Sequence, residues 1–192
     1  MTDVLADVRA HLRAYFAREP DAASVTFLGT QSFDVLRFGP EGDDVIHYAS
    51  LGCSREPMTD PAEFVADPLR GPRAEVVVAL RGPTPTGLAR SVAVLAAAPA
   101  VEGLVLAPDA LVDLGAPLWN GAAFTAFLLD RSEIGDVDLP SPFDPVAVLS
   151  AIPITPTEAA WVRLKGAQAM RDAWVADGVD VLDPNRKASA PS

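Results

Sequence analysis

The stretch Val146-Ala147-Val148-Leu149-Ser150-Ala151-Ile152-Pro153-Ile154-Thr155-Pro156-Thr157-Glu158 decides how the chain is read. Its first nine residues are dominated by Val, Leu and Ile and predict a strand. A helix comes directly after, and its start is marked three times: threonine at the N-cap, proline at the first helical position, glutamate three residues after the cap. Thr155 can accept from the Glu158 N–H while the Glu158 side chain accepts from the Thr155 N–H, a capping box. Trp161, Leu164, Ala167 or Gln168, Met170 and Trp174 then fall on one face, and Gly178 suits the C-terminal cap.

Working upstream, Ala74–Arg81 is a second near-continuous apolar run with Glu75 as the one charge near its start, the pattern of an interior strand. Thr86 to Ala98 predicts a helix with Leu88, Val92 and Leu95 inward and Pro99 as its stop. Val101–Leu106, Leu111–Leu114 and Phe124–Leu129 predict short strands, broken by Pro108, Gly115-Ala116-Pro117 and Asn120-Gly121. Nearer the N-terminus, Ser24–Leu28, Asp34–Phe38 and Val45–Leu51 read as strands separated by Gly29-Thr30 and by Gly39-Pro40-Glu41-Gly42-Asp43. The opening segment reads as a helix capped by Thr2 or Asp3, with Val4, Leu5, Val8, Leu12, Tyr15 and Phe16 on one face, ended by Pro20 and Asp21. Ser54 to Pro72 is irregular, proline-rich and too long for a tight turn, so it is expected to carry function or cover an edge. Val179–Leu182 suits an edge strand. The elements show no regular strand–helix alternation and no repeat. They predict an α+β fold, a mixed, mainly antiparallel sheet flanked by about three helices. A single domain over 1–184 and a mobile tail over 185–192 are expected.

Composition bounds the function. The 192 residues are 49% hydrophobic, which provides a core and argues against disorder. A net charge of −11 disfavours nucleic acid and anionic lipid, whose affinity comes from Lys and Arg neutralising phosphates. It would steer a basic protein partner, or simply keep the protein in solution. The single cysteine, Cys53, excludes an internal disulfide and a thiolate-rich zinc site. No export signal is evident, and Val76–Leu80 and Ser91–Ala98 are too short to span a bilayer, so the cytoplasm is the expected compartment. Two lysines, Lys165 and Lys187, against thirteen arginines suggest a GC-rich bacterial genome.

Groupings that would carry catalysis are weak. Arg81 to Gly87 precedes a helix as a phosphate loop would, but it lacks the lysine and its prolines remove N–H donors. His47 and Cys53 invite a nucleophile–base pair, so a small hydrolase or transferase is kept as an alternative; otherwise Cys53 reads as a small buried hydrophobe. His11 has no companion at metal-ligand spacing and reads as a boundary residue, while Asp43-Asp44 and Asp136/Asp138 read as solvated loop acids. No metal or cofactor is implied. Trp119-Asn120-Gly121 is either a turn with its indole folded inward or an exposed aromatic anchor.

Three segments resemble the suppressor of fused family. His47-Tyr48-Ala49-Ser50-Leu51-Gly52-Cys53-Ser54 is similar to the pattern His-Tyr-x-Ser-x-Gly-x-Ser that closes an early strand. Glu75 to Arg81 resembles the next strand, and Val146–Ile154 with Thr157-Glu158 and Leu164-Lys165-Gly166 resembles a late strand and the helix behind it. The order holds from about Ser24 to Leu182, as in a bacterial single-domain member. The resemblance implies a non-catalytic protein-interaction module. Animal members sequester a transcription factor between two lobes, the second of which is missing here; bacterial members are thought to include immunity proteins that neutralise toxins. It makes Tyr48 and Glu75 the foremost partner-binding candidates, with Asp44 and Arg55 beside them. The residue types alone also permit a core role for Tyr48 and a strand-end surface role for Glu75. A structural protein forming a homo-oligomer through an uncovered strand is the further alternative.

Overall fold

The computed structural model describes residues 1–65 and 67–192. Helix α1 (Val4–Phe16) is followed by strands β1 (Asp21–Val25), β2 (Phe33–Phe38) and β3 (Val45–Leu51). A single 3₁₀ turn over Cys53–Arg55 precedes β4 (Arg73–Arg81) and helix α2 (Leu88–Glu102). Then come β5 (Leu111–Asp113), β6 (Ala126–Arg131), β7 (Val146–Ile154), α3 (Pro156–Lys165) and α4 (Ala167–Ala176). The seven strands form one sheet in the order β1-β2-β3-β4-β7-β6-β5. Among the described residues only the central β4–β7 pair is parallel, so the fold is α+β with a mixed, mainly antiparallel sheet.

Side-chain alternation sorts the helices between the two faces. Val146, Val148, Ile152 and Ile154 point to the face carrying α1 and the α3–α4 pair, whereas Leu149 and Ala151 point to the face carrying α2. Val4, Val8 and Leu12 of α1 cover Leu36, Phe38, Ala49, Leu51 and Val77. On the other face Leu88, Val92 and Leu95 of α2 meet Ile46, Tyr48, Val76, Val78 and Leu80. Both central strands are thus buried on both faces, which is why their sequences read as continuous apolar runs.

Several boundaries move from their expected places. Pro99 does not stop α2; it sits one turn before the end, and the helix closes on Gly103, whose N–H donates to the Pro99 carbonyl at 3.1 Å. Expected strand residues Val101 and Glu102 are therefore helical, and 104–106 has no strand partner. The C-terminal helix is divided at Gly166 (φ 91°, ψ 164°), a backbone conformation that ends α3 and swings α4 around. Leu164, expected on the buried face, is 74% exposed, and the helices number four among the described residues. Val179–Leu182 is not a strand; its one backbone bond to the sheet runs from Arg81 N to Leu182 O at 2.8 Å.

The expected mobile tail is instead fastened to the fold. The capping box of α3 is present, but the Glu158 carboxylate is also completely buried and accepts from Trp174 Nε1 at 2.7 Å and from Arg186 Nη1 and Nη2 at 2.9 and 3.0 Å. The Arg186 guanidinium lies over the rings of Phe124 and Trp174, at 5.0 and 5.3 Å, and also donates to the Pro153 carbonyl. Tail composition misled because one arginine among small polar residues is enough to anchor a segment when a buried acid awaits it. Burial pushes the Glu158 carboxyl up, but hydrogen bonds from Arg186 and Trp174 outweigh it and hold the pKa below the usual carboxylate value.

A depressed acid contributes stability above its unfolded pKa and loses it as pH falls through the folded one. Arg186→Ala, which strands the buried carboxylate, should destabilise the protein by roughly 3–5 kcal/mol near neutral pH. Urea unfolding at neutral pH and again below the ordinary glutamate range should show that difference shrinking in acid.

Candidate functional site

The β3–β4 ladder runs from Val45↔Arg81 to Ala49↔Val77 and then stops. Beyond it the Glu75 carboxylate takes over the pairing. Oε1 accepts from Gly52 N and Ser54 N, both at 2.9 Å, and from Ser54 Oγ at 2.6 Å. Oε2 accepts from Ser50 Oγ at 2.5 Å, and Ser50 Oγ accepts in turn from Val76 N at 2.9 Å. Arg73, only 2% exposed, donates from Nη1 to the carbonyls of Ser54 and Arg55. Gly52 is required here: at φ 150° a Cβ would lie 2.9 Å from the Phe33 ring. The spacing Ser50-x-Gly52-x-Ser54 is therefore a shell of donors wrapped around one buried acid, with glycine where the shell must press against Phe33.

These positions revise the expected contact residues. Glu75 has no exposed surface and every bond it makes is internal, so it cannot touch a partner directly; it shapes the turn after β3. Tyr48 is 2% exposed, its ring in the α2-side core and its hydroxyl donating to Thr84 Oγ1 at 2.9 Å. Thr84 Oγ1 also accepts from Arg37 Nε, which ties the proline-rich 82–87 loop down over the tyrosine. Asp44 is exposed at the β2–β3 turn with φ 64°, and its carbonyl accepts from Gly82 N. Arg55 is half-buried and donates to the Ser32 carbonyl at 3.1 Å. Asp44 precedes β3 and Arg55 comes after it, so the structure places them at opposite ends of that strand.

A cysteine–histidine pair is not assembled. His47 packs against Phe16, ring centroids 4.8 Å apart, on the α1 face, whereas Cys53 belongs to the core beneath α2. Burial, with the Glu75 charge nearby, pushes the Cys53 thiol well above its ordinary pKa. Burial also lowers the His47 pKa against the opposing pull of Glu41 and Asp43. A protonated thiol and a base on the other side of the sheet make no nucleophile. Trp119 is folded inward against Phe124, as the turn reading expects. Among the described residues no cluster of His, Cys, Asp and Glu could hold a metal ion, and no helix is long and apolar enough to cross a membrane.

The two sheet edges differ in a way that no residue pattern announces. Edge strand β5 is three residues long, packs Leu111 against the α3–α4 cluster and is tied to α3 by the Asp113–Arg163 ion pair at 3.0 Å. Edge strand β1 is five residues long, with Asp21, Ala22, Ala23 and Ser24 exposed. Among the described residues no backbone hydrogen bond joins β1 to any element but β2. It has neither the proline nor the lysine that commonly protects an edge.

The architecture is thus a seven-stranded α+β fold with an internal carboxylate brace where the β3–β4 ladder ends. The family pattern described as Suppressor of fused protein (SUFU) matches residues 29–187, and the chain belongs to that family. Among solved structures it is similar to a SUFU homolog from Neisseria gonorrhoeae FA 1090, at 21% identity and TM-score 0.66 over 97% of this chain and 96% of that one. It is also similar to a chain of the Sufu–Fu complex, at 16% identity and TM-score 0.68 over 97% and 91% of the two chains. Drosophila Suppressor of Fused matches at 14% identity and TM-score 0.68, with 97% of this chain covering 51% of that one. No curated protein sequence matches.

Glu75→Ala should cost roughly 3 kcal/mol or more, because it leaves buried donors at Ser50, Gly52 and Ser54 unpaired, and Glu75→Gln should cost less. Denaturant midpoints of the two variants check this. Cys53 should react with iodoacetamide far more slowly in the folded chain than in urea, measured by mass spectrometry.

Proposed function

We propose that this chain is a non-catalytic protein-interaction module that takes an extended segment of a partner onto the open edge of β1. The observation that carries the reading is the edge itself: a five-residue strand bonded to β2 on one side, with no backbone bond on its other side among the described residues and neither proline nor lysine within it, opposite an edge that is short and covered. Membership of the suppressor of fused family supports it, as does the structural likeness to a protein solved as the Sufu–Fu complex. The placement of Cys53 and His47 on different faces of the sheet also supports it, because the two do not form a nucleophile–base pair.

The net charge of −11 favours a basic partner, and a cytoplasmic immunity protein that binds and neutralises a basic toxin is the specific form we propose. Asp44 and Arg55 are the two expected contact residues with surface to offer. Tyr48 and Glu75 act behind that surface, by holding the 82–87 loop and the turn after β3.

Hydrogen exchange tests the edge. A partner captured with the purified protein should slow exchange in Ala22–Val25; protection confined to other elements would remove the edge from the interface. The homo-oligomer alternative uses the same edge between two copies, and sedimentation over a range of concentrations decides it: a mass that rises toward the dimer assigns β1 to self-association.

A further inference from the structure

A cavity of about 340 Å³ opens where the β1–β2 connection, the turn after β3 and the last turn of α2 meet. Phe33, Cys53 and Met58, all buried, are part of its lining, together with polar Thr30, Gln31 and Glu56. Its size is at the small end for sites that enclose a ligand, which suits one anchoring side chain rather than a cofactor. The irregular segment beyond it is held in place: a Cβ on Gly103 would stand 2.7 Å from Pro61 Cγ, and Leu106 N donates to Met58 Sδ at 3.2 Å.

Segments that adjoin the cavity wall in sequence leave large apolar side chains in water. Leu28 and Phe64 are fully exposed, Val65 is 82% exposed and Val101 61%. Burying any one of them against a partner would be favourable, and the fold leaves that unused. The same segments carry the exposed carboxylates of Glu56, Asp60, Glu63, Asp67 and Glu102, and the guanidiniums of Arg55 and Arg70. Among the described residues none of the five acids is in an ion pair.

We infer that this end of the domain is a docking site for a basic partner segment, whose large apolar side chain fills the cavity while its Lys or Arg residues meet the surrounding carboxylates. Apolar rim, concave anchor point and unpaired acids of one sign ask for that chemistry together. The inference rests on the reading of the chain as a protein-interaction module and locates the anchor at the end of the open edge. β1 finishes at Val25 and the cavity wall begins at Gly29, a reach of roughly four residues for a segment laid along the strand at ~3.3 Å each.

The probe is a phage-displayed library of random peptides of about 12 residues, long enough to track β1 and reach the cavity. It is selected on the full chain, and the peptides recovered are measured by fluorescence anisotropy. Peptides that pair a large apolar residue with Lys or Arg, weaken at higher salt and lose at least about tenfold in affinity to Leu28→Asp or Val101→Asp support the site. Both substitutions are at exposed positions and leave the core untouched. Recovery of no binder, of acidic binders, or of binders indifferent to both substitutions overturns it. Ala22→Pro and Ala23→Pro separate the two readings, because of two neighbouring strand residues one directs its N–H away from β2. Loss in Leu28→Asp with both prolines tolerated keeps the cavity and removes the edge; loss only in the outward-facing proline variant does the reverse.

Discussion

One carboxylate holds the turn after β3 to the sheet. Glu75 replaces the last rungs of the β3–β4 ladder, gathering two backbone amides and two hydroxyls where the strands part. A buried acid with so many donors is a brace that tolerates little change, since each donor left unpaired costs on the order of 1–3 kcal/mol. The turn it fixes carries Cys53 into the cavity and Arg55 to its wall. Arg73, buried beside it, holds the same turn from its carbonyl side, so both polarities of the backbone there are satisfied from β4.

How much of this was legible in the residues differs from element to element. Strand β7 and the start of α3 were legible to the residue, because the apolar run is long and Thr155, Pro156 and Glu158 mark one boundary independently. The ends of the C-terminal helices were not: Gly166 lies inside a helical pattern, and only the observed φ of 91° shows that it divides two helices. Pro99 misled in the opposite direction, since a proline one turn from a helix end removes a single hydrogen bond and a glycine cap still closes the final turn.

The candidate residues divide along the same line. Motif resemblance singled out Tyr48 and Glu75, and both matter, but residue type cannot say whether a motif is a surface or the support beneath one. Ser50, Gly52 and Ser54 repeated at intervals of two were a visible signal that one side of the turn faces a common acceptor. The openness of β1 had no such signal, because an edge is defined by what fails to pair with it. The cavity likewise joins residues 29, 53, 58 and 100, which only the fold brings together.

The fastening of Arg186 to Glu158 has a consequence for how the chain comes to be made. The acid lies 28 residues ahead of its guanidinium, so during synthesis α3 and β7 emerge well before the group that neutralises them. Until Arg186 arrives, the space between Phe124 and Trp174 is unfilled and the buried carboxylate has only Trp174 and the Thr155 amide to satisfy it. The site around Glu158 therefore closes only when the last stretch of the chain is present, since Arg186 and Ser189 both donate to that carboxylate.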